Sequence, residues 1–232
     1  MTTTHTPWQA ILAMATAPST VFTALKQQQH WSWLAFLLVI IATIVAPALY
    51  FQLVDWPWYL QHYVLGQLAG LAPAEQQAAL ELMTRSGMQL STPLFATISL
   101  LVINALTALY LHKMTQLDDD NIQSFGDWFG FGWWTLLPQV VGAVIAIAVI
   151  LVSGQQLDPA AALTPLSLAN LAGLTSDSPW YNFGSSLSLL TLWTIALQYL
   201  GVRAWTALSS GISVVIVTIP YLVIFGIWAL LV

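Results

Sequence analysis

Long apolar runs separated by short polar intervals dominate this chain, and the runs are helical rather than alternating in character. About twenty apolar residues at ~1.5 Å each cross the ~30 Å hydrocarbon core of a bilayer. A helix does so without stranding backbone N–H and C=O groups in lipid. The pattern predicts five such spans, over residues 33–54, 93–111, 131–152, 184–204 and 211–232. The stretch from Phe183 to Ala207, FGSSLSLLTLWTIALQYLGVRAWTA, marks sidedness most clearly, because its apolar run ends on Arg203. The first span opens after Trp31 and closes at Asp55, Trp56 and Trp58, and such rings favour the headgroup level.

Between the runs the pattern changes period. Trp8, Ile11, Leu12 and Ala15, and after Pro18 the set Val21, Phe22 and Leu25, recur at helical spacing ahead of Lys26 and a Gln run. They predict short amphipathic helices, lying at the membrane interface or packed on the end of the bundle. A helix is also expected from about Pro73 to Ser86, with Glu81 and Arg85 paired at i,i+4 and Gly87 ending it. Residues 153–180, with Pro159, Pro165 and Pro179 and no Lys or Arg, form a second loop on the same side. The fold class is therefore all-α, a polytopic membrane bundle of five transmembrane helices with short interfacial helices. Residues 1–30 make an N-terminal interfacial segment, and residues 31–232 the membrane domain.

Composition narrows the function classes. Apolar residues make up 58% and charged residues 6% of the chain, against about a quarter charged in ordinary soluble domains. Nine acidic residues against four Lys and Arg give a net charge of -5, with no basic patch for nucleic acid. Cysteine is absent, which removes disulfides, thiolate metal sites and a Cys nucleophile. No Lys or Arg precedes Lys26, so the first span is expected to stay as an uncleaved anchor. Lys26, Lys113 and Arg203 fall on one side of the predicted topology and Arg85 on the other. The positive-inside rule then places the N-terminus in the cytoplasm and the C-terminus outside.

Chemistry-bearing residues are sparse within the spans. None of the five holds a charged residue or a histidine away from its ends, Arg203 standing at the end of the fourth, which argues against proton relays, voltage sensing and a Ser-His intramembrane hydrolase. All four histidines, His5, His30, His62 and His112, lie outside the spans or at an end, and no GxSxG elbow occurs. Asn104, Gln139 and Gln198 fall at similar depth in the half of the spans nearer Lys26, and form the candidate intramembrane polar cluster. Its plainer role is to hold helices together by hydrogen bonds; its functional role is the polar lining of a path. Pro138, with Gly142 one turn on, and Pro220 are candidate helix breaks, since proline frees a carbonyl and broken helices build sites in transporters.

Other features read as structure. Gly126 and Gly130, and Gly66 and Gly70, match GxxxG but lie outside apolar helices, as loop or helix-end glycines. Asp118, Asp119 and Asp120 lack the alternating spacing of a calcium loop. Asp55 and His62 lack a fixed third ligand. No cofactor or metal is implied.

Three stretches carry a family resemblance: APSTVFTALKQQQHW ahead of the first span, SFGDWFGFGWWTLLP leading into a third span that bears Pro138, and SLSLLTLWTIALQYLGV leading to Gly201. From Pro18 to Leu230 the order of segments resembles the Yip-domain family, five-span membrane proteins named for interaction with small GTPases of vesicle traffic. Eukaryotic members carry a long cytosolic N-terminal region and an Asp-Leu-Tyr-Gly-Pro signature; here the leader is about thirty residues and that signature is missing. The short form resembles the bacterial branch, which implies the inner membrane. The expectation is a non-enzymatic organiser or partner-binding component, with membrane lipids, a second copy or another membrane protein as partners. The alternative is a permease or lipid-handling protein with a polar path in the cytoplasmic half of the bundle.

Overall fold

The computed structural model describes residues 6–175 and 178–232, and His5 lies outside them. In chain order the helices are α1 (Pro7–Ala13), α2 (Pro18–Leu25), α3 (Ser32–Leu53), α4 (Trp56–Tyr59), α5 (Leu65–Gln67), α6 (Pro73–Leu82), α7 (Arg85–Met114), α8 (Phe125–Thr135), α9 (Pro138–Val152), α10 (Pro159–Leu163), α11 (Leu168–Leu171), α12 (Tyr181–Ser186), α13 (Leu189–Trp205) and α14 (Ser210–Leu231). Among the described residues there is no strand, only one isolated bridge between Ser167 and Ser188. This is an all-α bundle and an integral membrane protein. Among the described residues, four helical stretches are long and apolar enough to cross a bilayer: Gln29–Leu53, Arg85–Leu117, Phe125–Val152 and Ser210–Leu231.

The expected fourth span, residues 184–204, is shorter than its sequence suggests. Leu187 is extended, Ser188 caps α13 by accepting from the Leu190 amide, and the helix proper runs 17 residues, Leu189–Trp205. That is about 25 Å of helix. The Phe183–Ser186 part of the apolar run belongs instead to α12. A serine hydroxyl competing for backbone amides explains why an unbroken apolar pattern contains a break.

Other boundaries also move. α6 stops at Leu82, and Thr84 caps α7 by accepting from the Gly87 amide, so Gly87 sits in a first turn rather than ending a helix. Arg85 does not reach Glu81; its guanidinium donates to the Phe51 and Gln52 carbonyls at the end of α3, at 3.3 and 2.9 Å. Those carbonyls lack intrahelical donors, so the cation at the helix C-terminus answers both hydrogen bonding and dipole. α7 begins at Arg85, well before the expected start of the second span at Pro93, and continues through that proline.

The third span also begins earlier. A reciprocal cap between Ser124 and Asp127 starts α8 at Phe125, which places Gly126 at the helix end and draws Gly130 inside the helix. The reason is packing: a Cβ on Gly130 would lie 2.9 Å from Ser32 Oγ, so the glycine admits α3. Gly66 and Gly70 have open space at the Cβ position and make no comparable contact.

Antiparallel packing gives the bundle two distinct ends. Lys26 follows α2, Lys113 lies in the last turn of α7 and Arg203 in the last turn of α13. Their end is tied by Trp205 Nε1 donating to the Phe22 carbonyl at 2.8 Å and by the Ala207 amide donating to Asp118 Oδ2 at 2.7 Å. A buried aromatic cluster fills it, with Phe22, Trp128, Phe131, Trp134 and Trp205 nearly inaccessible. The rings of Phe22 and Phe131, and of Trp128 and Trp205, lie 5.0 Å apart, within the range of favourable aromatic pairs. At the opposite end Tyr50, Phe51, Tyr59, Val64, Ile150 and Ala162 form a second core. There the Tyr50 hydroxyl donates to the Leu157 carbonyl at 2.8 Å.

The N-terminal helices join the first core. Val21, Phe22 and Leu25 of α2 are buried against the bundle, whereas α1 buries Ala10 and Met14 and leaves Trp8 and Leu12 outward, 61% and 78% exposed. α2 is thus packed on the bundle end. α1 contributes Ala10, with Ile11 and Ala13 partly buried beside it and Met14 at its end.

Candidate functional site

The three amides share a membrane layer in the sequence but not a partner in the structure. Asn104 is buried on α7, and its amide donates to the Phe129 carbonyl of α8 at 3.1 Å. A Cβ on Gly132 would overlap Asn104 Oδ1, so the glycine makes the space into which this amide fits. Gln198 is buried on α13 and accepts from the Tyr221 hydroxyl of α14 at 3.2 Å. Gln139 stands in the first turn of α9 and lines a cavity. No hydrogen bond links any two of the three among the described residues. Asn104 and Gln198 therefore act as helix-to-helix ties, while Gln139 remains uncommitted.

The prolines divide in the same way. Pro138 opens α9 after a two-residue interruption at Leu136 and Leu137, and the Trp134 carbonyl it would strand accepts from the Leu137 amide at 3.3 Å. Gly142, one turn on, is buried where α13 closes in, since a Cβ there would overlap Leu190 Cδ1. Pro220 lies inside the continuous α14. The Ile216 carbonyl that it deprives accepts from the Tyr110 hydroxyl of α7 at 2.9 Å. Pro47, inside α3, deprives the Thr43 carbonyl in turn, and no side chain or loop amide among the described residues donates to that atom. Sequence reading passed over Pro47, although a proline in the middle of the first span was the available signal.

The Thr43–Pro47 turn forms one wall of the cavity at Gln139, which measures about 360 Å³. It lies between the two buried cores and extends from the middle of the bundle to the loops at the end away from Lys26. Ala42, Ala46, Ala96, Gly142 and Ala143 set its walls back, and Leu163–Leu166 and Ser185–Ser188 form its outer rim. Most rim hydroxyls are spent locally: Thr164 donates to the Ala160 carbonyl, Ser186 to the Asn182 carbonyl and Ser188 to the Leu166 carbonyl. The Thr191 and Gln139 side chains make no hydrogen bond among the described residues. No Asp, Glu, Lys, Arg or His lines the space.

Outside the bundle the acids are structural. Asp55 caps α4 by accepting from the Trp58 amide at 3.2 Å and from Gln156 Nε2 at 2.9 Å. The Gln156 hydrogen bond, then the Trp58 amide, lower its pKa below the usual carboxylate value. His62 stacks on Trp58 with its Nδ1 3.2 Å from the Trp58 carbonyl. Burial pushes the nearby Tyr59 phenol up to about 12. Asp118 accepts from the Asp120 amide at 3.3 Å and bridges to Ala207. Among the described residues no group of three His, Cys, Asp or Glu is placed to hold a metal.

These features define a class: a polytopic all-α membrane protein whose polar interior groups mostly lock helices, with an uncharged cavity at Gln139. The chain belongs to the Yip1-domain family, whose family model matches residues 12–231, nearly its whole length. No curated protein and no solved structure matches it.

Proposed function

We propose that this Yip1-domain chain is a non-enzymatic component of a bacterial inner membrane, N-terminus cytoplasmic and C-terminus periplasmic, that works by docking other membrane components. The setting of α14 supports this reading most. Two hydroxyl ties, Tyr110 to Ile216 and Tyr221 to Gln198, hold the helix to α7 and α13. Apolar grooves of about 370 and 410 Å³ run along its flanks. Gly226 lines the first groove with open space at its Cβ position. Small residues let a further span approach closely, and packing rather than hydrophobicity drives helix association in lipid.

Extraction into native nanodiscs at natural abundance, followed by mass spectrometry, tests it. A stoichiometric protein partner or a homo-oligomer is expected, lost on Gly226→Phe. A lone chain carrying lipid or a small molecule overturns the docking reading in favour of its rival, a permease or lipid-handling protein. The cavity that reaches Gln139 is the observation favouring that rival.

A further inference from the structure

We propose that the cavity at Gln139 is a binding site for an uncharged, hydroxyl-rich group: the glycerol or sugar head of an uncharged lipid, or the same polyol free in water. The site shares Ser188 and Thr191 with the α14 groove that holds Gly226, is otherwise walled mainly by α3, α7 and α9, and does not depend on the docking reading. Its chemistry follows from what its wall leaves unspent. The Gln139 amide supplies two donors and an acceptor, the Thr191 hydroxyl one donor and an acceptor, and neither is hydrogen-bonded among the described residues. The Thr43 carbonyl adds an acceptor that Pro47 has deprived of its helical donor.

Pro93 of α7 leaves the Gln89 carbonyl in the same position, whereas two other prolines have their carbonyls answered. In α14 a tyrosine from the neighbouring helix takes the Ile216 carbonyl, and at the α8–α9 break a backbone amide takes that of Trp134. Buried carbonyls are nearly always paired; Pro47 cannot supply the amide that ordinarily pairs the Thr43 carbonyl, and Thr43 lines the cavity where a ligand or water can take that role.

Charge and size restrict the ligand further. A phosphate or ammonium group would enter a low-dielectric space with no counter-charge on the wall, at a prohibitive desolvation cost. A purely apolar ligand would leave the amide, hydroxyl and carbonyl unpaired. Adjacent hydroxyls on a small carbon frame match alternating donors and acceptors without either penalty. About 360 Å³ falls in the range of small-ligand sites, roughly 300–1,000 Å³. The alanines that set the walls back show why the space does not close: no side chain of this chain fills it, and protein interiors are otherwise packed.

The absence of native cysteine makes the test direct. Ala143→Cys, on the cavity wall, is placed in phosphatidylcholine nanodiscs and labelled with uncharged 2-hydroxyethyl methanethiosulfonate. Labelling is expected, and saturating monooleoylglycerol is expected to slow it roughly tenfold, as about ten times Kd of ligand would. Gln139→Leu and Thr191→Val should each abolish that protection while labelling persists. Protection by monooleoylglycerol alone assigns a lipid head; equal protection by glycerol or sorbitol assigns a free polyol. Absence of labelling, absence of protection, or protection that survives both substitutions overturns the proposal. Native mass spectrometry of the unsubstituted chain covers a variant that fails to fold: one bound monooleoylglycerol or polyol supports the site, and none overturns it.

Discussion

The Tyr110 hydroxyl donates to the Ile216 carbonyl at 2.9 Å, and Ile216 is the residue whose carbonyl Pro220 strips of its helical partner. One helix thus completes a turn that another cannot close for itself. Tyr110→Phe should destabilise the bundle by about 0.6–2 kcal/mol, the scale of interhelical hydrogen bonds in membranes. In a Pro220→Ala background the amide returns, and the cost of Tyr110→Phe should shrink. Unfolding measured in a double-mutant cycle checks this, and an equal cost in both backgrounds would sink the account.

A second relationship links Gly132 and Asn104. A methyl group at Gly132 overlaps the amide oxygen that the glycine accommodates, and the amide is held by its bond to the Phe129 carbonyl. Gly132→Ala should cost about 1–3 kcal/mol, because the buried amide must leave its acceptor. Asn104→Ala alone loses the bond, and the double variant should be closer to Asn104→Ala than to the sum. Thermal unfolding in detergent of the three variants measures the difference. Strict additivity would show that the two residues do not share the space.

Hydropathy made the class and most helices legible, because about twenty apolar residues leave lipid-spanning helix as the economical solution. Local capping was harder to see. Ser188 interrupts an apolar run, and Ser124 with Asp127 begins α8 six residues before the expected span. Both effects come from side-chain oxygens rather than from hydropathy. Amide depth placed Asn104, Gln139 and Gln198 in one layer, yet depth carries no azimuth. Helices that are apolar all round show no face, so only packing could reveal that Asn104 and Gln198 have partners and Gln139 has a cavity. Pro47 was visible as a letter, but its consequence depends on what faces Thr43.

The loop end carries a pH dependence of known sign. Hydrogen bonds from Gln156 and the Trp58 amide hold Asp55 below its ordinary pKa, so the folded chain binds that proton less readily than the unfolded one. The resulting stabilisation is complete above the unfolded carboxylate value of about 4 and is lost as pH falls through the lowered folded value. Asp55→Asn should remove this acid-side dependence. Amide hydrogen exchange across residues 55–59, followed from neutral to acid pH, reads it out. An unchanged profile in the variant would assign the acid sensitivity elsewhere.

Gly201 decides whether the N-terminal helices belong to the core or merely lie beside it. A Cβ at this position overlaps the Phe131 ring and comes within 3.2 Å of Phe22, beneath the Trp205 indole that donates to the Phe22 carbonyl. Overpacking a buried ring cluster costs about 1–3 kcal/mol. Because α2 reaches the bundle through Phe22, Gly201→Ala should displace that contact before it unfolds the longer spans. Exchange or proteolysis should therefore rise first across residues 18–28, and Phe131→Leu should partly restore protection by making room for the methyl group. If protection there is unaffected while the spans loosen, α2 is held by its interface rather than by the aromatic core. The sequence alone left both arrangements open; the position of a single missing Cβ turns them into opposite experimental outcomes.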